Sequence, residues 1–252
     1  MPSFLVDGSD VDGDHLKLKG EELHHLRVRR HKVGDHIEII DGQGGFYSVR
    51  LDAIEQDRAA GTILERSPER GEPNVELTVA CALVKGDRFD SAVEKITEVG
   101  ARKIVPLKCK RSVVRDPSEA RLERWRRIAQ AAAKQSGRSR IPQVMEPVEI
   151  GAELGGGLPE GALRLMAVAR GGVPSLRQAV EGARSTEEVT LFIGPEGGFA
   201  PEEEDEAAAA GVRPFTWGGD HALRVDTAAV VLGGLVLFEL GGYGEEDELP
   251  PH

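Results

Sequence analysis

Leu191-Phe192-Ile193-Gly194-Pro195-Glu196-Gly197-Gly198-Phe199-Ala200-Pro201-Glu202-Glu203-Glu204 carries the main clue to the architecture. Its first three residues are apolar without interruption, as in a strand covered on both faces. A glycine- and proline-rich loop follows. Pro201 and three acids then have the composition of a first helical turn. Strand, tight loop and helix in direct succession belong to a parallel α/β sheet, where ligands sit at the carboxyl ends of strands. Paired glycines let a backbone approach a ligand and present its own N–H and C=O groups. Ile193, Gly194, Pro195, Glu196, Gly197 and Gly198 are therefore either a ligand loop, able to read an adenine or amide edge, or a plain turn. The loop does not end in Gly-Lys-Ser/Thr and acids follow it, so it is not a phosphate loop.

Outward from this stretch the alternation continues. Residues 75–83 are a β-rich apolar run, and residues 89–99 have helical spacing through Phe89, Val93, Ile96 and Val99. Further strands are predicted at 103–107, 163–169 and 213–217, and helices at 117–135, 175–181, 201–210 and 226–240. This pattern predicts an α/β domain with a mostly parallel sheet covered on both faces. Ser67-Pro68-Glu69-Arg70-Gly71-Glu72-Pro73-Asn74 has no apolar side chain and breaks the pattern. Before it, strands at 11–18, 36–40, 46–51 and 61–64 surround one short helix at 21–30, the reading of a small β domain. The expected division is 1–72, 73–244 and an acidic tail at 245–252.

The chain has 252 residues, 40% apolar and 30% charged, which excludes wholesale disorder. No run approaches the ~20 apolar residues of a membrane span. The opening Met1-Pro2-Ser3-Phe4 lacks a signal peptide's basic start. Two cysteines give no disulfide framework, so a cytoplasmic location is expected. Cys81 is expected to be buried in a strand. Cys109, among Lys108, Lys110 and Arg111, is expected to have a lowered thiol pKa. The seven histidines have no ligand spacing, and no metal is expected.

A net charge of −11 excludes a generally basic coat, yet residues 102–140 hold 13 Lys/Arg against three acids. That window reads as a polyanion-binding face or as a solvated basic helix. Leu122, Trp125, Ala129 and Ala132 follow the spacing of a buried helix face. Arg124, Arg127, Lys134 and Arg138 fall on another face, where they are candidates for phosphates.

A second loop stands in Trp217-Gly218-Gly219-Asp220-His221-Ala222-Leu223-Arg224-Val225-Asp226-Thr227-Ala228-Ala229. A strand ends in glycines, and a helix opens near Asp226 and Thr227, either of which could cap it. Arg224 stands where a core would not place an arginine. Lys85-Gly86-Asp87-Arg88, with Glu98 and Gly100 beyond, closes the first strand of the second domain. No Gly-x-Gly-x-x-Gly follows that strand, which argues against an NAD or ATP enzyme.

Together these segments resemble the RsmE family, the 16S ribosomal RNA uracil-N3 methyltransferases of the SPOUT superfamily, over residues 4–240. The Val28, Arg30 and Gly34-Asp35 stretch, Arg111-Ser112 and Gln135-Ser136-Gly137-Arg138 support the match. The Gly-Pro-Glu-Gly-Gly loop and Leu223-Arg224…Thr227-Ala228 are its specific part. The resemblance implies a PUA-like RNA-binding β-barrel followed by a trefoil-knotted SPOUT domain. It also implies S-adenosylmethionine held by the knot loops, a homodimer, and 16S ribosomal RNA or the assembled small subunit as substrate. On it, Arg224 and Asp226 are the expected catalytic residues. The cofactor site takes in residues 193–198 with Gly218, Gly219, Ala222, Leu223 and Thr227. Arg30, Lys85, Arg88, Arg111, Arg124, Arg127 and Arg138 are expected at the RNA. Gly218, His221 and Asp226 depart from the family's Leu, Arg and Glu. Methylation at another RNA position and a non-catalytic RNA-binding scaffold are the alternative readings.

Overall fold

Alternating side chains set the first sheet. In the computed structural model, residues 3–113, 116–156, 161–218 and 222–243 are described. Backbone contacts divide the chain into two compact units, Met1–Glu72 with Gln130–Ile141, and Pro73–Ala129 with Pro142–His252.

The first unit holds β1 (Phe4–Leu5), β2 (Val11–Asp12), β3 (His15–Lys19), α1 (Gly20–Val28), β4 (His36–Ile40), β5 (Phe46–Ile54) and β6 (Arg58–Arg66). In β3, Leu16 and Leu18 point inward while His15, Lys17 and Lys19 are exposed, the period-two signature of a half-covered strand. The strands form one six-stranded sheet in the order β1-β4-β5-β6-β3-β2. It is antiparallel except where β1 pairs with β4. Register shifts between Ser48 and Val49 and between Leu51 and Ala53 mark bulges, which bend a sheet and let it curl. The expected single strand at 11–18 is two strands, because Gly13-Asp14 forms a two-residue hairpin turn opposite the Asp12–His15 pair. Leu23 and Leu26 of α1 close the curled sheet against Ile37, Ile39, Val49 and Leu51.

The second unit contains β7 (Glu76–Ala82), α2 (Arg88–Val99), β8 (Lys103–Lys108), the first part of α3 (Glu119–Ser136), β9 (Gln143–Val144), β10 (Val148–Glu149), α4 (Ile150–Gly155), β11 (Leu163–Ala167), α5 (Leu176–Ala179), β12 (Glu188–Ile193), α6 (Pro201–Ala209), β13 (Arg213–Phe215) and α7 (Val225–Glu239). Its sheet runs β10-β8-β7-β12-β11-β13, with β9 also on β8, and every pairing is parallel. Both faces are covered. Leu77, Val79 and Cys81 of β7 join Phe89, Ile96, Trp125, Leu232 and Val236, whereas Ala80 and Ala82 join Phe192, Phe199, Leu154 and Ala207 on the other face. That double burial is why these strands read as unbroken apolar runs. Each fully buried large side chain contributes about 1.5–3 kcal/mol.

The chain passes from β12 through α6 to β13, which lies on the far side of β11. The carboxyl ends of β11, β12 and β13 therefore open in one direction. The path expected to be knotted continues through residues 219–221, outside the described residues. The segments β9, β10 and α4 are too short to have had a periodic signal in the sequence.

α3 stops at Ser136, and Gly137 has φ +75°. Arg138 is therefore not on the helix face with Arg124 and Arg127, as the spacing had suggested. It is buried in the first unit beside Glu72.

Candidate active site

The loop after β12 is a tight turn folded over an aromatic ring. Gly198 N–H donates to the Pro195 carbonyl at 2.8 Å, and Gly198 takes φ +69°, a conformation that costs an L side chain about 1–2 kcal/mol. A Cβ on Gly194 would stand 3.0 Å from the buried Phe199 ring, so that ring packs where a side chain would otherwise be. Glycine at 194 answers to internal packing, and glycine at 198 to backbone geometry.

Three strand ends make a cleft here. Ile193, Gly194, Pro195, Glu196 and Gly198 come from the β12 loop, Trp217, Ala222 and Leu223 from the chain after β13, and Ala228 and Leu232 from α7. Ala167, Val168 and Ala169, after β11, complete it. The sequence reading missed this third wall. Its only local signal is a strand ending in small residues before Arg170-Gly171-Gly172. Gly197 and Thr227 are exposed and do not line the cleft; Gly218, with φ +90°, is exposed beside Trp217. Gly219 and His221 lie outside the described residues.

Neither Asp226 nor Thr227 is the cap of α7. Arg224 holds the N-cap position through its backbone and uses no side-chain cap, which leaves its guanidinium exposed. Asp226 is in the first helical turn, and its Oδ1 is buried with no hydrogen-bond partner among the described residues. A buried acceptor without a donor costs about 1–3 kcal/mol, the kind of cost that persists where a ligand supplies the partner. Burial, and then the charges of Cys109, Asp226 and Glu196, push the Cys81 thiol well above its ordinary value.

Two arginines expected at RNA phosphates are engaged by the loop itself. Arg88, at the start of α2, pairs with Glu196 at 2.7 Å. Arg111 Nη1 donates to the carbonyls of Gly197 at 2.7 Å and Phe199 at 3.0 Å. Beneath them Glu203, only 2% exposed, accepts the N–H of Lys110 and that of Ala200, both at 2.7 Å.

The basic window is mostly neutralised by acids drawn in by folding. Lys108 pairs with Asp116, Lys110 with Glu202, Arg124 with Asp90, Arg126 with Glu146, Lys134 with Glu22, and Arg140 with Glu69. Arg138 is corrected outright. Its side chain is 3% exposed and donates to Glu72, so it has no surface to offer a phosphate. Arg124 Nε bonds Asp90 at 2.6 Å, and the same carboxylate accepts the buried Trp125 indole N–H at 2.8 Å. Arg30, Lys85 and Arg127 are exposed, and Arg127 has only a 3.4 Å bond to its own helix.

Cys109 also reverses its expectation. Burial and then Glu203 push its thiol up to about 12, outweighing the basic neighbours in sequence. Among the described residues no group of three His, Cys, Asp or Glu is placed to hold a metal ion, and no helix is long and apolar enough to cross a membrane.

Comparisons with known proteins bear on the family and the fold. A family model described as an RNA methyltransferase domain matches residues 71–237, and one described as an RNA methyltransferase PUA domain matches residues 18–64. The chain is 35% identical to ribosomal RNA small subunit methyltransferase E of Synechocystis sp., over 86% of this chain and 70% of that protein. The Mycobacterium bovis protein of the same name is 31% identical, over 92% and 90%. The crystal structure of the Neisseria gonorrhoeae protein of that name, bound to S-adenosyl methionine, superposes with a TM-score of 0.82 at 28% identity, over 94% of this chain and 97% of that one. With a curled PUA-type sheet, an all-parallel sheet and a three-loop cleft in one chain, the protein belongs to the ribosomal RNA small subunit methyltransferase E family.

Proposed function

We propose that this protein transfers a methyl group from S-adenosylmethionine to N3 of a uridine in 16S ribosomal RNA, with the cofactor in the three-loop cleft. The carrying observation is Asp226 Oδ1 in the first turn of α7, buried without a hydrogen-bond partner among the described residues and near the exposed Arg224. The cleft fits the cofactor's chemistry. Its walls at Ile193, Leu223, Ala228 and Leu232 are apolar enough for a flat ring, and loop backbone offers polar edges. Glu196, paired with Arg88, brings a carboxylate to the cleft wall, which suits a sulfonium cation. When bound, S-adenosylmethionine supplies an electrophilic methyl group.

Neutral N3 of uracil has no free lone pair, so its proton must leave. Asp226 Oδ1, which has no hydrogen-bond partner among the described residues, accepts that proton. Arg224 faces the negative charge that develops on the uracil carbonyls. Orientation of the two reactants between α7 and the β12 loop contributes several kcal/mol.

RNA phosphates fall to the exposed cations Arg30, Lys85 and Arg127, and to the outer nitrogens of Arg124. Arg127→Ala is expected to flatten the slope of log K for RNA against log salt by about 0.7–0.9, with stability changed by no more than about 0.5 kcal/mol. Filter-binding across a salt series checks this; an unchanged slope removes Arg127 from the interface. Arg124→Ala would also strip Asp90 of its cation, so its binding data must be read beside a melting curve.

A homodimer completes the proposal. Val231, Leu235 and Phe238 share one face of α7 at helical spacing, and Phe238 is 71% exposed. An exposed apolar stripe of this kind suits a partner surface. The two free, buried cysteines suit a reducing cytoplasm.

The test of the cofactor site is calorimetric titration with S-adenosylmethionine beside Gly197→Arg. A Cβ at 197 would meet Arg111 Cδ at 3.6 Å, an ordinary contact, so the first carbon of the new side chain fits, and a melting curve checks the rest. The added side chain, displacing Arg111 from the Gly197 carbonyl and crowding the loop, is expected to weaken binding about tenfold or more. Absence of wild-type binding, both alone and with RNA, would overturn the proposal. Nucleoside analysis of methylated RNA then separates N3-methyluridine from a methylated ribose.

A further inference from the structure

We infer that Arg111 is a positioning residue for the cofactor loop and not a phosphate ligand; this rests on the cofactor site proposed above. One nitrogen of its guanidinium holds two loop carbonyls, those of Gly197 and Phe199. Charge-assisted donors of this type are about twice as strong as neutral ones.

The clamp is anchored at its own base. Ser112 is buried and donates its N–H to the Cys109 carbonyl at 2.9 Å, closing the turn that carries Arg111. Lys110, next in the chain, donates its N–H to Glu203, whose second oxygen accepts from Ala200 where the loop enters α6. Arg111 and the end of the loop are thus fastened to one buried carboxylate.

The division of labour along the loop supports the same reading. Residues 194–196 and 198 line the cleft, while Gly197 and Phe199 turn their carbonyls to Arg111. Glu196 and Gly198, the cleft-lining residues on either side of Gly197, are therefore set by neighbours held from outside. Gly197 and Gly198 would otherwise have the greatest freedom to lose when a ligand binds. Ordering a residue beforehand removes a cost from the binding step.

Arg111→Ala and Arg111→Lys, measured by calorimetry with S-adenosylmethionine and by RNA binding across salt, test the inference. Arg111→Ala is expected to raise the cofactor Kd about tenfold or more, since one or two glycines must then be ordered on binding. Lysine, a single-point donor, is expected to recover part of that loss. The KM for S-adenosylmethionine should rise more than kcat falls, and the RNA salt slope should stay at the wild-type value. A cofactor Kd within about twofold of wild type in both variants overturns the inference, as does a slope reduced by about 0.9 with an unchanged Kd, the mark of a phosphate contact. If the alanine variant does not fold, the lysine variant decides by the same readouts. Failure of the wild type to bind cofactor counts against the site itself; binding by wild type with no effect of either substitution counts only against Arg111.

Discussion

Asp226→Asn is expected to lower kcat for RNA methylation by about 10²–10⁴-fold, the usual contribution of a positioned general base. Asparagine keeps the shape of the side chain and removes its ability to take a proton. Because Oδ1 has no hydrogen-bond partner among the described residues, no bond made by that oxygen is lost with the charge. Thermal stability should therefore not fall, and cofactor affinity should change far less than kcat. Single-turnover methylation with saturating cofactor reads the effect directly. A kcat within about threefold of wild type would be too small for a general base and would reassign Asp226 to shaping α7. The combination of a large rate loss with undiminished stability is what distinguishes catalysis from support.

Glu72→Ala is expected to destabilise the first unit by about 3–5 kcal/mol, because it removes the carboxylate of a buried ion pair. Both partners are almost wholly enclosed, with side chains 6% and 3% exposed, and Arg138 Nη2 lies 2.5 Å from Glu72 Oε2. The same carboxylate accepts the Arg140 N–H at 2.8 Å and so holds the strand-like segment after α3. A loss of this size is a large share of the 5–15 kcal/mol that holds a typical domain together. Chemical denaturation measures the loss, and hydrogen exchange over residues 130–141 locates it. Glu72→Gln, which keeps acceptors but not the charge, should fall between wild type and alanine. A loss below about 1 kcal/mol would mean that water reaches the pair and screens it.

These two acidic residues show how differently the sequence exposes its contents. The β12 loop was legible because its glycines and proline stand between an apolar strand and an acidic helix start, a purely local pattern. Trp125 was legible as core because Leu122 and Ala129 repeat around it at helical spacing. Glu72 gave no such sign. It lies in a polar, proline-flanked segment that reads as a linker, and its partner is 66 residues away.

The arginines make the same point more sharply. Arg88, Arg111, Arg124, Arg127 and Arg138 are alike in a sequence and were grouped as phosphate ligands. Folding separates them into a loop latch, a loop clamp, a counter-charge for Asp90, an exposed cation and a buried ion. Cys109 changed sides for the same reason, since Glu203 reaches it through the fold while the lysines beside it do not outweigh burial.

By itself, then, the amino-acid order determined the alternation of elements, the parallel sheet with both faces covered, and the two glycine-bearing loops at strand ends. Periodicity and turn chemistry act over a few residues, and a few residues suffice to read them. Only the tertiary structure decided which third strand end closes the cleft, that Asp226 Oδ1 has no hydrogen-bond partner among the described residues, and which cations stay exposed. Those outcomes depend on burial and on charges brought together from distant positions, and neither quantity exists until the chain has folded.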